Sequence, residues 1–422
     1  MICSKAKFVG VTIAFVCMMQ VASAQKVYTT APPKTDSLKV AQPDTGETNN
    51  TMDVIDLFRL MAKKLVKKHP NLLLRKENSP GPFVVAIPYP GYTIATGVAV
   101  VAPVNISFYT NSKERTILSF FNNNLQYTQY NQIIALSTSN IYLGHDKWEL
   151  IGDYRFYRFP TYTYGLGSLT TLQNQDEIKY SQVRFYQLVM RQIMPKFSAG
   201  IGYHLDYHYG ITDFNAQNGI VTDFQQYGLN SKSLSSGVSA NVLYDSRDNT
   251  NNPLSGIYFN AQFRANVQAL GSNSNYNSLT IDFRKYFRLP TKWYTEVALW
   301  SYSWFTTNGM PPYLDLPTTA GDTYNNTGRG YALGRFRGLN MLYFEAEFRF
   351  AIMRNGFLGG VVFANAESLS EYPGNNFAAF QPGVGLGLRI KLNKKTNTNS
   401  AVDYGFGTGG SRGFAFNLNE VF

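Results

Sequence analysis

Between positions 83 and 422, hydrophobic and polar residues alternate with a period of two. At 257–268, Ile257, Phe259, Ala261, Phe263, Ala265 and Val267 alternate with Tyr258, Asn260, Gln262, Arg264, Asn266 and Gln268. Side chains point to opposite faces along a β-strand, so such a segment is apolar on one side and polar on the other. The same alternation sets Leu279, Ile281 and Phe283 against Thr280, Asp282 and Arg284. It also sets Val384, Leu386, Leu388 and Ile390 against Gly383, Gly385, Gly387, Arg389 and Lys391. Strands of soluble sandwiches run about 5 or 6 residues, whereas segments of about 10 or more suit tilted strands that cross a bilayer. The apolar side is therefore expected to face lipid.

Sixteen runs are predicted: 83–89, 92–109, 115–127, 130–143, 147–158, 179–194, 196–212, 232–245, 255–268, 275–289, 292–306, 340–353, 356–367, 377–392, 395–406 and 411–422. An even count suits a single-chain barrel whose two ends lie on the same side of the membrane. With the N-terminus inside, the three longest gaps (159–178, 213–231 and 307–339) all face outward. The fold expected is thus all-β, a 16-stranded antiparallel transmembrane β-barrel over 83–422. Closure would satisfy every strand edge in a solvent that offers no hydrogen bonds.

Upstream the period changes. Ile55, Phe58, Ala62 and Leu65 recur at helical spacing, with Asp53 and Asp56 near the start and Lys63, Lys64, Lys67 and Lys68 near the end, before Pro70. That charge order complements a helix dipole. A short basic amphipathic helix is expected over 52–70, either lying on the inner face of the outer membrane or under the barrel mouth, or else serving only as a short packing helix. Residues 25–51 read as a flexible linker. Residues 1–24 carry Lys5 and Lys7, an apolar stretch at 8–19 and Ala22-Ser23-Ala24, the pattern of a cleavable signal peptide.

Composition narrows the class. Aromatic residues make up 15% of the chain and charged ones only 15%, which excludes a disordered chain. Beyond the leader no apolar run is long enough for a transmembrane helix. Both cysteines, Cys3 and Cys17, lie in the leader, so a processed chain would have no disulfide to form. The formal charge of +11 becomes +9 without Lys5 and Lys7. In a secreted chain that excess reads as affinity for outer-membrane lipids and lipopolysaccharide rather than for nucleic acid.

The segment Gly328-Arg329-Gly330-Tyr331, followed by Gly334-Arg335-Phe336-Arg337 and a strand carrying Glu345, Glu347 and Arg349, resembles the sixth-loop Arg-Gly-Tyr/Phe motif of the BamA/TamA family. That family belongs to the outer membrane protein 85 superfamily of surface antigens. Further matches are Tyr244-Asp-Ser-Arg247 through Pro253 to Gly256, Gly360 to Asn365, and Leu386 to Arg389 with Asp403 to Phe406 and Glu420-Val-Phe422. The resemblance covers 83–422. It implies a loop folded into the barrel, with its arginine on acidic or polar groups of the twelfth and thirteenth strands. Parity places Glu345 and Glu347, and likewise Asn365 and Glu367, on the lumenal face. Arg329 is expected to meet Glu345 or Glu347; the alternative is an arginine exposed in an outer loop. The family usually has Asp where Asn365 stands and Gly where Glu367 stands. Phe414, Phe416, Leu418 and Phe422 share one strand face, which resembles the C-terminal signal that outer-membrane barrels present to their insertion machinery. Family members that assemble proteins carry periplasmic POTRA modules, and none fits between Gln25 and Pro82.

Signals of catalysis fail. Gly409 to Gly413 matches G-x-S-x-G, but no histidine follows His208. Gly405 to Gly410 matches G-x-G-x-x-G without a following helix. His204, Asp206 and His208 share a face, yet strand spacing sets the two histidines about 13 Å apart, too far for one metal ion. They read as lumenal polar filling. The chain is thus expected to be no enzyme and to bind no metal or cofactor. Two roles stand: a barrel that inserts or transports proteins or lipids, working with other outer-membrane proteins or periplasmic factors, or a passive pore or structural subunit of an outer-membrane complex.

Overall fold

The computed structural model describes residues 51–54, 56, 82–86, 88–93, 96–110, 117, 119–214, 221–228, 230–290, 295–394 and 397–422. The leader and linker lie outside the described residues, as does the helix expected over 52–70 apart from its first few positions. The strands are β1 (Phe83–Ala86), β2 (Tyr89–Thr93), β3 (Gly97–Phe108), β4 (Ser119–Thr128), β5 (Ile133–Leu143), β6 (Trp148–Thr163), β7 (Asp176–Met194), β8 (Phe197–Asp213) and β9 (Lys232–Asp245). They continue as β10 (Gly256–Asn266), β11 (Tyr276–Arg288), β12 (Thr295–Gly309), β13 (Asn340–Ala351), β14 (Leu358–Leu369), β15 (Gln381–Asn393), β16 (Thr398–Phe406) and β17 (Arg412–Leu418). All belong to one sheet, and every ladder in it is antiparallel.

From β3 onward each strand pairs with its sequence neighbour, and the sheet order sets β17 beside β2. Strands β1 and β2 pair with the two ends of β3, Phe83 with Ser107 and Thr93 with Gly97, so they form one edge broken around Pro88. Proline has no N–H for a ladder, which suits it to such a break. The run expected at 92–109 therefore contains a reversal. Gly97, at φ 60°, opens β3 where periodicity alone read straight through. The gap expected at 159–178 also shrinks to 164–175, because β6 continues to Thr163 and β7 starts at Asp176.

The two faces of the sheet are sorted inversely to a water-soluble protein. On β13, Glu345 and Glu347 are 4% and 1% exposed, while Phe344 and Phe348 are 46% and 43% exposed. On β15, Val384, Leu386 and Leu388 are exposed and Arg389 is buried. Buried charge on one face and bare aliphatic side chains on the other suit a hydrocarbon solvent around a polar interior. No helix among the described residues is long and apolar enough to cross a membrane.

Two segments flanking the strands contact this sheet. Met52 N donates to Asn355 O at 2.9 Å, Lys394 N donates to Asp53 Oδ2 at 3.1 Å, and the Lys394 ammonium pairs with Asp56 at 2.8 Å. The segment just ahead of the sheet is thereby fastened to the turns after β13 and β15. At the other end Phe414 and Phe416 are exposed on the outward face, but Phe422 is not with them. Asn419 adopts φ 73°, which ends the strand, and the tail turns inward. Phe422 is buried against Trp300, with ring centroids 5.1 Å apart, and lies 6.3 Å from Tyr286. The single outward face expected for Phe414, Phe416, Leu418 and Phe422 thus stops within the strand; the backbone of Leu418 pairs with Ser400, and its side chain lies outside the described set.

Leu386 lies mid-strand opposite Val362, and both are exposed. Leu386→Arg is expected to destabilise the protein in liposomes by about 2–4 kcal/mol if that face meets the bilayer midplane. Urea unfolding in liposomes measures this, and a cost near zero would contradict a lipid-facing position.

Candidate functional site

The long segment between β12 and β13 folds back onto the enclosed face of the sheet. It starts with a single turn at Tyr313–Asp315, and the Tyr313 ring stands edge-on to Phe224, 5.2 Å away, in the short helix α1 (Asp223–Tyr227). A bridge between Thr318 and Arg337 draws its two limbs together, and Arg337 donates to Tyr313 O at 2.9 Å. Asp322 organises the tip: its Oδ1 accepts from the N–H groups of Asn326 and Thr327, each at 2.8 Å. This is the local chemistry by which a short acidic side chain stabilises a turn.

The Arg-Gly-Tyr segment follows. Gly330 has φ 104°, and a Cβ there would sit 2.9 Å from the carbonyl carbon of Phe406. Only glycine accepts both that dihedral and that approach. The wall beneath is also stripped of side chains. A Cβ on Gly383 would meet Arg329 O at 2.9 Å, one on Gly405 would meet Gly330 N at 2.7 Å, and one on Gly407 would enter the Tyr331 ring. Tyr331 OH donates to Pro382 O at 2.5 Å and accepts from Thr408 N at 3.0 Å. The glycines at alternate positions of β15 and β16 thus form a smooth seat for the loop.

Arg329 projects from this seat into a group of carboxylates. Its Nη2 donates to both Glu345 and Glu347, its Nη1 donates to Asp403 Oδ2 at 2.7 Å, and its guanidinium carbon lies 3.7 Å from the Phe363 ring centroid. The carboxylates are shared. Glu347 also accepts from Arg349 Nε at 2.6 Å; Asp403 also accepts from Arg389 Nη1 at 2.6 Å; Glu420 accepts from Arg389 Nε at 2.6 Å and lies 3.8 Å from Arg349. The contacts close into a ring of alternating charge: Arg329, Glu347, Arg349, Glu420, Arg389, Asp403 and back to Arg329. It unites the loop, β13, β15, β16 and the C-terminal tail. Arg349 further binds Glu296 at 2.7 Å and Phe422 O at 3.0 Å. Buried charges persist only where each is paired and hydrogen-bonded, and sharing supplies those partners.

The four acidic or amide positions expected around Arg329 divide in the structure. Glu345 and Glu347 meet its guanidinium. Asn365 instead holds its backbone, donating from Nδ2 to Arg329 O at 3.0 Å. Glu367 lies elsewhere, fully buried and accepting from Thr319 Oγ1 at 3.0 Å. Asp403, Arg389, Arg349 and Glu420 belong to the site although sequence reasoning gave them no role in it. Their lumenal parity was readable for Arg389, but their convergence needed the ladder.

A second cluster lies on β7 to β10. Asp206 accepts from Arg184 Nε at 2.8 Å, Arg264 Nη1 at 2.8 Å and Tyr186 OH at 2.5 Å. His204 Nε2 lies 2.8 Å from Ser239 Oγ, and His208 Nδ1 lies 3.6 Å from Asp315 of the loop. The three residues thus contact different partners. Asp315 also accepts from Ser235 Oγ at 2.6 Å, and Arg155 Nη2 donates to Thr323 O at 2.9 Å. The loop therefore touches β6, β8 and β9 as well as β13 to β16, and so links these two parts of the sheet. Burial, reinforced by the charge of Asp206, pushes the Asp315 carboxyl up to about 7.

An inverted antiparallel sheet with an arginine-bearing loop fixed inside it defines a class of membrane β-protein. The Omp85 superfamily domain matches residues 119–420, and the chain belongs to that superfamily. It is accordingly a protein of the Gram-negative outer membrane. Among solved structures, BamA from Haemophilus ducreyi lacking POTRA domains 1–3 is similar at 12% identity and a TM-score of 0.54, over 81% of this chain and 71% of that one. CdiB from Acinetobacter baumannii is similar at 12% identity and a TM-score of 0.52, over 81% of this chain. The match spans 60% of the CdiB chain. At that identity the likeness is one of fold. No curated protein matches the chain in sequence.

Two tests follow from the geometry. Arg329→Ala leaves three buried carboxylates without their shared cation and is expected to cost about 3–5 kcal/mol, with a lower temperature for the heat-modified gel shift. Arg329→Lys is expected to recover only part of this, since an ammonium cannot span both sides of the ring with a planar fork. An unchanged gel shift in Arg329→Ala would remove the ring's structural importance. For Asp315, a folded-state pKa raised above the unfolded value means that the native state holds the extra proton. Its contribution to stability is full at low pH and declines as pH rises through about 7. Asp315→Asn is therefore expected to flatten that decline in melting temperature between about pH 4 and 7, and a parallel decline in both proteins would count against it.

Proposed function

We propose that the chain is a closed, sixteen-staved outer-membrane barrel that assists the insertion or transport of other proteins or lipids, with β1–β2 and β17 meeting at a seam. In this reading the long loops face outward and the short turns face the periplasm. The single observation that carries it is the crossing loop. Arg329 fastens the loop to β13–β16 on one side of the seam, while Arg155 and Ser235 hold it on the other. A crossbar of this kind keeps two halves of a wall together while the join between them opens. The membership of the Omp85 superfamily, and the fold shared with BamA and CdiB, support an assembly or secretion type of barrel. The proposed chemistry is non-covalent: strand ends and polar interior groups are offered to a client, and no bond is made or broken. The partners proposed are client outer-membrane proteins, periplasmic factors and the surrounding lipids.

The last strand also fits this role. β17 spans 7 residues, whereas its neighbour β16 spans 9 and β7 spans 19. The tail beyond it is held by the charge ring rather than by a further ladder. A short terminal strand contributes few hydrogen bonds to a seam.

Depleting the protein tests the proposal. Broad loss of other barrels from the outer membrane, measured by quantitative proteomics of the membrane fraction, is the expected result. Loss of one complex alone, or a change only in solute flux, would replace this reading with a structural subunit or a passive pore.

A further inference from the structure

We propose that the rim bearing the long loops carries a binding site for a phosphorylated glycolipid of the surrounding outer leaflet, centred on Arg158 and Lys179. The site is a cleft of about 790 Å³ whose lining includes Tyr127, Arg158, Tyr162, Lys179 and Glu177. Strand pairing fixes their directions. Arg158 sits opposite Ile133 on β5 and Ser181 on β7, and Lys179 sits opposite Pro160 on β6. Arg158 shares its face with exposed Phe156, and its neighbour Phe159 is buried; Lys179 stands between buried Ile178 and the inward-turned Tyr180. Both cations therefore point outward from adjacent strands as diagonal neighbours, about 7–8 Å apart at their backbones. One phosphate group fits between two such flexible side chains.

The pair lacks an internal explanation. Arginines on the enclosed face, such as Arg155, Arg184 and Arg264, each hold a carboxylate. Among the described residues, neither Arg158 nor Lys179 has a hydrogen-bond or ion-pair partner. The one carboxylate in the cleft, Glu177, leaves a net charge of +1 against the two cations. An outward-facing cation without a partner at a membrane rim is stabilised by an anion that the membrane supplies.

The surroundings select a glycolipid. Tyr127 and Tyr162 are exposed beside the cations and offer aromatic faces to the C–H edges of a sugar ring. Gln129, in the same cleft, offers an amide to sugar hydroxyls. Below the cleft the wall is apolar, with Leu125, Phe156 and Phe185 exposed on β4, β6 and β7. Acyl chains attached to the sugar lie against exactly that kind of surface in register with the strands. The floor of the cleft reaches Ala332 and Leu333, directly after Tyr331. A bound glycolipid thus touches the loop beside its anchor, and lipid occupancy favours the seated loop.

The test uses the full-length protein in detergent micelles, titrated with bis-phosphorylated lipid A, with its dephosphorylated form and with inorganic phosphate, and read by native mass spectrometry. Expected are at least tenfold tighter retention of the phosphorylated lipid, and loss of that preference in R158Q/K179Q with an unaltered heat-modified gel shift. Arg191→Gln, which alters a cation stacked on Trp148 at the opposite rim, should retain the preference. Equal retention of both lipids, or an unaltered preference in a folded R158Q/K179Q protein, overturns the proposal. Complete displacement by millimolar inorganic phosphate also overturns it, assigning the site to the free anion. Should the double variant fail to fold, the wild-type comparison of the two lipids decides alone.

Discussion

The constraint on which the rest of this structure depends is the need to keep Arg329 charged where its side chain is buried. A guanidinium removed from water loses several kcal/mol of hydration, and a single carboxylate seldom restores it. Here the charge is distributed over three carboxylates, two of which serve further arginines. Because those partners come from β13 and β16, and Arg349 and Arg389 extend the contacts to Glu420 of the tail, satisfying Arg329 also fixes the relative positions of those elements. Loop seating, wall geometry and the direction of the tail are therefore one problem with one solution.

The backbone contribution is equally specific. Placing an arginine head among carboxylates requires the loop to approach the wall at backbone distance. The glycines of β15 and β16 provide that approach at a cost, since glycine orders poorly in a strand. The cost is offset by polar contacts that only a close approach permits, such as Asn365 Nδ2 to Arg329 O and Tyr331 OH to Pro382 O. The sheet is thus weakened as a sheet where it is strengthened as a receptor for its own loop.

Much of this was legible in the sequence because a period of two has only two phases. Once Phe344 and Phe348 were assigned to the outward face, Glu345 and Glu347 had to face inward, and a basic loop motif nearby needed such partners. Parity fails where the strand does. Phe422 shares parity with Phe414 and Phe416, yet Asn419 in the left-handed region rotates the tail and takes Phe422 to Trp300. The reversal before Gly97 was hidden for the same reason, since residues on both sides of it continue an apolar alternation. Asp403, a partner of Arg329, and Arg389, which shares Asp403 with it, escaped because they are 74 and 60 positions from Arg329 in sequence (403 − 329 and 389 − 329), and only the ladder β14–β15–β16 brings them to one place. The departure of Glu367 from the arginine is local chemistry: Thr319 presents a hydroxyl to it, so its needs are met without a cation.

The buried tail bears on how the chain divides its aromatic residues. Phe414 and Phe416 remain on the outward face, where hydrocarbon solvates them, while Phe422 joins Trp300 and Tyr286 inside. Its backbone carbonyl there accepts from Arg349, and Glu420 two residues earlier joins Arg349 to Arg389. The final residues therefore fill the interior with two apolar side chains, Val421 and Phe422, and one acidic side chain, Glu420. A tail held this way leaves β17 short, next to β2 in the sheet order, and the tail's own backbone-to-backbone bonds go to Asn399 and Asn251. The ring's members lie on the loop, β13, β15, β16 and the tail, so interior electrostatics fix the tail and the loop to that part of the sheet without bridging β17 to β2.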